Sequence, residues 1–272
     1  AHLNALGIEC HRADVVTSSQ SIAQLMLAEL PAGAKVLVCG AQALADEIRA
    51  VGFQLVADHT EQPAAVVQGY DPEMDFPRLD DACFAIQRGA RWFASNTDIN
   101  RPTNLGMVPG AGAQVACVQV CVDVAPLVAG KPYPPLLTET IRRMAARRPV
   151  FVGDRLDTDV EGANNVQIDS FLVFTGVHGK YDLVAAIPKQ RPTAIGYDLR
   201  DLLKPARMAR AIGDRVRCGR AEAWQQNGQI CCAGPLTNVD EQLDALWAIC
   251  QLSWQRPAAD CTSALDRLDL LK

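Results

Sequence analysis

The segment 149–164, PVFVGDRLDTDVEGAN, restricts the fold more than any other stretch of this chain. Val150-Phe151-Val152 is a short apolar run that reads as a buried parallel strand. It stops at Gly153, and Asp154, Asp157 and Asp159 follow at once, ahead of a segment that starts like a helix. Carboxylates crowded at the carboxyl end of a strand repel one another unless a positive charge lies among them. A hard divalent cation meets that need, and open α/β sheets place their ligand sites at strand carboxyl ends. The expectation is a Mg²⁺ site at the mouth of a parallel sheet.

The flanking pattern supports an α/β chain. Capping side chains at 14–19 precede a helix over 21–30, and Pro31-Ala32-Gly33 breaks it. Strands at 35–39, 53–56, 64–68 and 91–94, with helices at 41–51 and 77–88, outline a self-contained α/β unit over 33–97. Residues 98–113 read as loop and 114–122 as helix. A short strand at 126–129 runs into Gly130-Lys131-Pro132, and a helix follows at 134–145. The opening motif and strands at 170–174 and 194–195 continue a parallel βαβ series. Beyond Pro205, a hairpin around Asn227-Gly228 and an amphipathic helix over 239–254 form a tail whose role is read as packing or dimerisation.

Bulk properties narrow the function. With 272 residues, the chain suits one large domain or two moderate ones, and its 49% apolar content is ample for a core. A net charge of −5 with no basic block speaks against nucleic acid as a partner. No apolar run is long enough to span a bilayer and no signal-peptide pattern is read, so a cytoplasmic location is expected. Ten cysteines form neither a C-x-x-C pair nor a Cys/His cluster, which argues against zinc; they are expected to be reduced and buried. No Ser-His-Asp or Cys-His set is visible, and His178, alone in a loop, is assigned no role. The segment 109–113 is rich in glycine but lacks the dinucleotide fingerprint, which sets a nucleotide-dependent oxidoreductase aside.

Two readings stay open for each candidate residue. Asp154 is a metal ligand with Asp159 orienting it, or the acidic turn merely caps a helix. Lys131 neutralises carboxylates and a phosphate together, or is an exposed turn lysine. Asn96 and Asp98 read a substrate, or Asn96-Thr97-Asp98 is a simple turn.

Taken in order, DVVTSSQ (14–20), KVLVCG (35–40), VVQGYD (66–71), NTDINRPTNLGMVPGAGA (96–113), VAGKPYP (128–134), VGDRLDTDVEGA (152–163) and LVFTGV (172–177) resemble the haloacid dehalogenase (HAD) superfamily. The branch is class IIA, NagD-like and phosphoglycolate phosphatase-like, and the likeness covers residues 1 to about 200. It implies a Rossmann-like HAD core with a parallel sheet over 1–32 and 98–205, an inserted α/β cap of the C2 type at 33–97, and a small C-terminal extension at 206–272. The extension looks like that of glycerol-3-phosphate phosphatase-like members. The resemblance further implies Mg²⁺-dependent hydrolysis of a small phosphorylated metabolite through an aspartyl-phosphate. Lys131 would be catalytic, Asp154 and Asp159 would form the metal site, and Asn96 and Asp98 would bind substrate. A homodimer is a further expectation.

One departure matters. The family's first strand carries DxDG(T/V), followed by a segment like TNN(S/A), and neither occurs here; the only DxD is Asp157-Thr158-Asp159. Without a nucleophilic carboxylate the aspartyl-phosphate route closes. The expectation is therefore an N-terminally truncated phosphatase whose first strand, central in the sheet, is missing. The alternative is a non-catalytic member that binds a phosphorylated ligand or a partner.

Overall fold

The computed structural model describes residues 2–272. The chain divides into two compact units between Ala146 and Arg147.

The first unit contains α1 (His2–Ala5), α2 (Ser18–Glu29), β1 (Lys35–Cys39), α3 (Gln42–Ala50), β2 (Gln54–Val56), β3 (Ala65–Gln68), α4 (Phe76–Gln87), β4 (Arg91–Ala94), β5 (Asn100–Thr103), β6 (Gly106–Pro109), α5 (Ala111–Gln119), β7 (Leu127–Val128) and α6 (Pro134–Met144). Helix α2 starts where its capping box closes: Gln20 N–H donates to Thr17 Oγ1 (3.2 Å) and Thr17 N–H donates to Gln20 Oε1 (3.3 Å). Asp75 caps α4 in the same way, accepting from Arg78 N–H at 3.0 Å. Five parallel strands form one sheet in the order β2-β1-β3-β4-β7. Its strands are apolar along most of their length, with polar residues mainly at their ends, because both faces are covered. Val36, Val67 and Phe93 face the layer of Ile22, Met26, Leu44 and Ile48 from α2 and α3. Leu37, Val66 and Trp92 face Leu79, Ala82, Val115 and Val118 from α4 and α5.

Two expectations change here. The sheet of the expected cap does not end at residue 97: β7 pairs with β4, α2 packs on the sheet from before residue 33, and α5 packs on it from after residue 97. The break falls at 146/147, so the expected core pieces 1–32 and 98–146 lie in the same unit as 33–97. Residues 98–113 are not plain loop either. They hold the antiparallel ribbon β5–β6, in which Asn100 pairs with Pro109 and Pro102 with Met107. In a two-stranded ribbon both strands are edges, so proline is tolerated there, while its presence hides the strands from pattern reading.

The second unit contains β8 (Val150–Gly153), a wide turn of π type at Leu156–Val160, α7 (Glu161–Asn165), β9 (Asp169–Val173), α8 (Lys180–Val184), β10 (Ala194–Gly196), β11 (Ala209–Ile212), β12 (Arg215–Cys218), β13 (Ala221–Gln226), β14 (Gln229–Ala233), α9 (Val239–Ser253) and α10 (Thr262–Asp266). A parallel sheet runs β10-β9-β8, and an antiparallel sheet runs β11 to β14 in sequence order. The β13–β14 turn is Asn227-Gly228, both at positive φ (50° and 80°), as a tight hairpin requires. Helix α9 joins the two sheets: Leu243, Leu246 and Ile249 share one cluster with Leu172 and Ile195 of the first and Val216, Ala223 and Ile230 of the second. The region 206–272 is thus built into this unit by packing and is not an appended tail. Buried Gln242 ties the following segment to α9, donating to Leu236 O (3.1 Å) and Asp269 Oδ1 (2.6 Å) and accepting from Leu270 N–H (2.9 Å). No helix among the described residues is long and apolar enough to cross a membrane.

Candidate active site

In the first unit, two neighbouring parallel strands deliver the candidate residues to one sheet edge. Ala94 of β4 lies opposite Val128 of β7. Asn96-Thr97-Asp98 follows the first strand and Gly130-Lys131 the second. A Cβ on Gly130 would lie 2.8 Å from the Ser95 carbonyl oxygen and 3.2 Å from Asn96 Cα, so the two strand ends meet only because residue 130 has no side chain. The turn locks itself: Asp98 N–H donates to Asn96 Oδ1 (2.5 Å), and Asn96 Nδ2 donates to Asp98 Oδ2 (2.9 Å). Both side chains are half-buried, as is Lys131. Helix α5 begins on this turn, with Gly112 N–H donating to Asp98 O and Gly110 N–H to Ile99 O, both at 2.8 Å. A Cβ on Gly112 would overlap the Thr97 carbonyl. The glycines of 109–113 therefore serve close backbone approach.

In the second unit, Asp154 stands directly after β8. Its Oδ2 accepts from Val177 N–H at 2.7 Å, and its carbonyl accepts from His178 N–H at 3.1 Å. Asp159 is buried and curls back under the turn, its Oδ2 accepting from Asp154 N–H (3.1 Å) and Arg155 N–H (3.0 Å). Leu156 N–H donates to His178 Nδ1 at 2.7 Å. Side chains are excluded at two glycines: a Cβ on Gly153 would overlap the Asp159 carboxylate, and one on Gly176 would overlap the Asp154 carboxylate.

Two of the three crowded carboxylates, contrary to the expectation that they need a cation, are met by groups of the chain itself. Asp157 does not need a cation, because Arg155 grips it with Nε (3.0 Å) and Nη2 (2.7 Å). That guanidinium holds the Asp157 carboxyl below its usual range against partial burial. Asp159 is met by backbone N–H groups. Asp154 is met at Oδ2 by Val177 N–H and is not gripped by a guanidinium as Asp157 is.

Sequence reading missed His178, which is half-buried and braces the turn, and Gly176, which lets the next loop close on Asp154. A glycine just beyond a strand's carboxyl end was the available signal for the second. Nothing in the spacing announced the first.

Among the described residues, no group of three or more His, Cys, Asp or Glu side chains is arranged around a common metal position. Mg²⁺ is bound through one or two carboxylates and keeps several waters. Asp154 suits it as one ligand of such a set. Asp159, committed to two backbone donors, suits a positioning role.

Residues 128–202 match the HAD-hydrolase-like family and residues 1–54 the haloacid dehalogenase-like hydrolase family. D-glycerol 3-phosphate phosphatase of Mycobacterium tuberculosis is 40% identical over 266 residues, spanning 96% of this chain and 74% of that protein. An acid sugar phosphatase of Staphylococcus saprophyticus is 33% identical, over 74% of this chain and 77% of its own length. The crystal structure of the M. tuberculosis glycerol phosphate phosphatase in complex with magnesium superposes with a TM-score of 0.84 at 36% identity, covering 98% of this chain and 82% of that one. The chain belongs to the haloacid dehalogenase-like hydrolases, as its class IIA motifs led one to expect. The two M. tuberculosis matches run into 206–272, so that region also has its counterpart there.

Proposed function

We propose that this chain forms the larger part of a Mg²⁺-dependent phosphatase that hydrolyses a small phosphate monoester of the glycerol phosphate type. The observation that carries the reading is the Asp154 carboxylate. It is held at the carboxyl end of β8 by Val177 N–H on one side and by the grip of Asp159 on its own backbone N–H on the other. A carboxylate fixed in this way needs no reorganisation to take up a hard cation. When bound, Mg²⁺ would supply positive charge for the phosphate oxygens.

The remaining roles follow from chemistry. Lys131 supplies a cation for phosphate, Asp159 positions the Asp154 backbone, and Asn96 and Asp98 present polar groups to the rest of the substrate from a self-locked turn. The first unit accordingly acts as the substrate-recognising part. The nucleophile has no candidate among these residues, since no second DxD occurs in the 272. Within its sheet, β8 pairs with β9 alone, and Val150 is 50% exposed. A strand bearing the nucleophilic carboxylate would add at that open edge.

The test is phosphate release from glycerol 3-phosphate and p-nitrophenyl phosphate, with Mg²⁺, by the chain alone and by the chain with a DxDG strand placed in frame ahead of it. Turnover is expected only in the second case, and K131A should abolish it. Absence of turnover in both, accompanied by thermal stabilisation with Mg²⁺ and inorganic phosphate, would favour a non-catalytic binding protein. Absence of both responses removes the proposal.

A further inference from the structure

Helices α4 and α5 lie side by side over one face of the first sheet, and Cys83, Val115, Val118 and Val122 belong to the same buried cluster. Cys121 sits in the turn directly after α5. Gln87, one turn beyond Cys83 on α4, donates from Nε2 to the Cys121 carbonyl at 3.0 Å, which pins this turn to the Cys83 side of the helix. This brings the Cys121 thiol up as a neighbour of Cys83, close enough to raise its titration. Cys83 is buried, whereas Cys117 and Cys121 are exposed, contrary to the expectation that all the cysteines are interior.

The two thiols differ in reactivity. Burial, reinforced by the neighbouring Cys121, pushes the Cys83 thiol up to about 11 and keeps it protonated. Cys121 is open to solvent, where a small oxidant can reach it. All ten cysteines are free thiols in this structure.

We propose that Cys83 and Cys121 form a redox modification site that closes to a disulfide with a hydroperoxide as oxidant. In the first step the Cys121 sulfur, having lost its proton, attacks a peroxide oxygen. The O–O bond breaks, the leaving hydroxide takes a proton to become water, and Cys121 becomes a sulfenic acid. In the second step the Cys83 sulfur gives up its proton and attacks the Cys121 sulfur. The S–O bond breaks, hydroxide leaves as water, and the S–S bond forms. Two thiols and one hydrogen peroxide thus yield one disulfide and two waters. The Cys121 thiol also faces the Cys117 carbonyl oxygen, at 4.0 Å.

The bond would tie α4 to the far end of the helix whose first turn holds the Asn96–Asp98 segment through Gly112 N–H. Only this consequence rests on the substrate-binding reading of that segment; the disulfide does not.

The 272-residue chain is treated with hydrogen peroxide, its remaining thiols are alkylated, and the non-reduced tryptic digest is analysed by mass spectrometry. The expected result is the Cys83 peptide joined to the peptide carrying Cys121, with two fewer alkylated thiols than the ten of the reduced chain. The link should persist in C117S and vanish in C121S, an exposed position where serine leaves packing intact. An unlinked Cys83 peptide overturns the proposal, whether Cys117 and Cys121 are over-oxidised, joined to each other, or joined between molecules. This readout is independent of turnover, so its failure leaves the phosphatase reading untouched.

Discussion

Removing the Asp159 carboxylate should unhinge the turn that carries Asp154. One oxygen of this side chain, which is only 4% exposed, accepts from two backbone N–H groups at 3.1 and 3.0 Å. Hydrogen bonds to a charged acceptor contribute about 1.5–3 kcal/mol each, and a buried donor left without a partner costs about 1–3 kcal/mol. The two donors sit in a half-buried turn, where water can replace part of what is lost. Asp159→Ala should therefore cost about 3 kcal/mol, near the lower bound for two bonds. Asp159→Asn keeps an oxygen in place but loses the charge, which halves each bond, for a cost of about 1.5 kcal/mol. Urea unfolding followed by tryptophan fluorescence measures both, since Trp224, Trp247 and Trp254 all lie in the second unit. A cost below about 1 kcal/mol for Ala, or equal costs for Ala and Asn, would refute the claim that the charged oxygen holds the turn.

Gly176→Ala places a methyl group on the Asp154 carboxylate and should abolish the thermal shift produced by Mg²⁺ while leaving the circular dichroism spectrum unchanged; an unaltered Mg²⁺ response refutes it. Phe93→Ala, at a fully buried position on an interior strand of the five-stranded sheet, should lose about 3–5 kcal/mol in urea melts. Glu139 titrates below its ordinary 4.5 because Arg142, and with it Arg143, hydrogen-bonds its carboxylate against the opposing effect of burial. A depressed folded-state value means stability that is fully present above pH 4.5 and lost as the pH falls through the lower folded value. Glu139→Gln should therefore be less stable than the parent at neutral pH, and the gap should close on acidification; a gap independent of pH contradicts this origin.

Much of the fold was legible because burial on both faces leaves a plain mark. Lys35–Cys39 and Arg91–Ala94 are strands in both readings, since an apolar run between polar ends has few other homes in an α/β chain. Thr17 and Gln20 announced the start of α2, and Asn227-Gly228 announced the hairpin. What stayed hidden depends on contacts between distant segments. The two residues of β7 carry too little pattern to show that their partner is β4, and this pairing moves the division of the chain to 146/147. The ribbon β5–β6 contradicts strand propensity through its prolines and its exposure. At the candidate site, the acidic positions were legible as a group, but the individual partners were not. Arg155 neutralises a neighbour two residues away, and His178 reaches the turn from the far side of β9. Local spacing cannot distinguish a carboxylate kept for a ligand from one already satisfied within the chain.

The pairing of β4 with β7 also bears on how such proteins can diversify. Asn96, Asp98 and Lys131 hang from adjacent strands of one sheet, so their mutual spacing is set wholly inside the first unit. Recombination with a relative at 146/147 would transfer the polar turn and the lysine as a single inherited block. A crossover at 97/98 would instead cut between β4 and β7 and require two unrelated parents to agree on the contact of Gly130 with Ser95. Viable chimaeras of this lineage should therefore cluster at the first junction and be rare at the second.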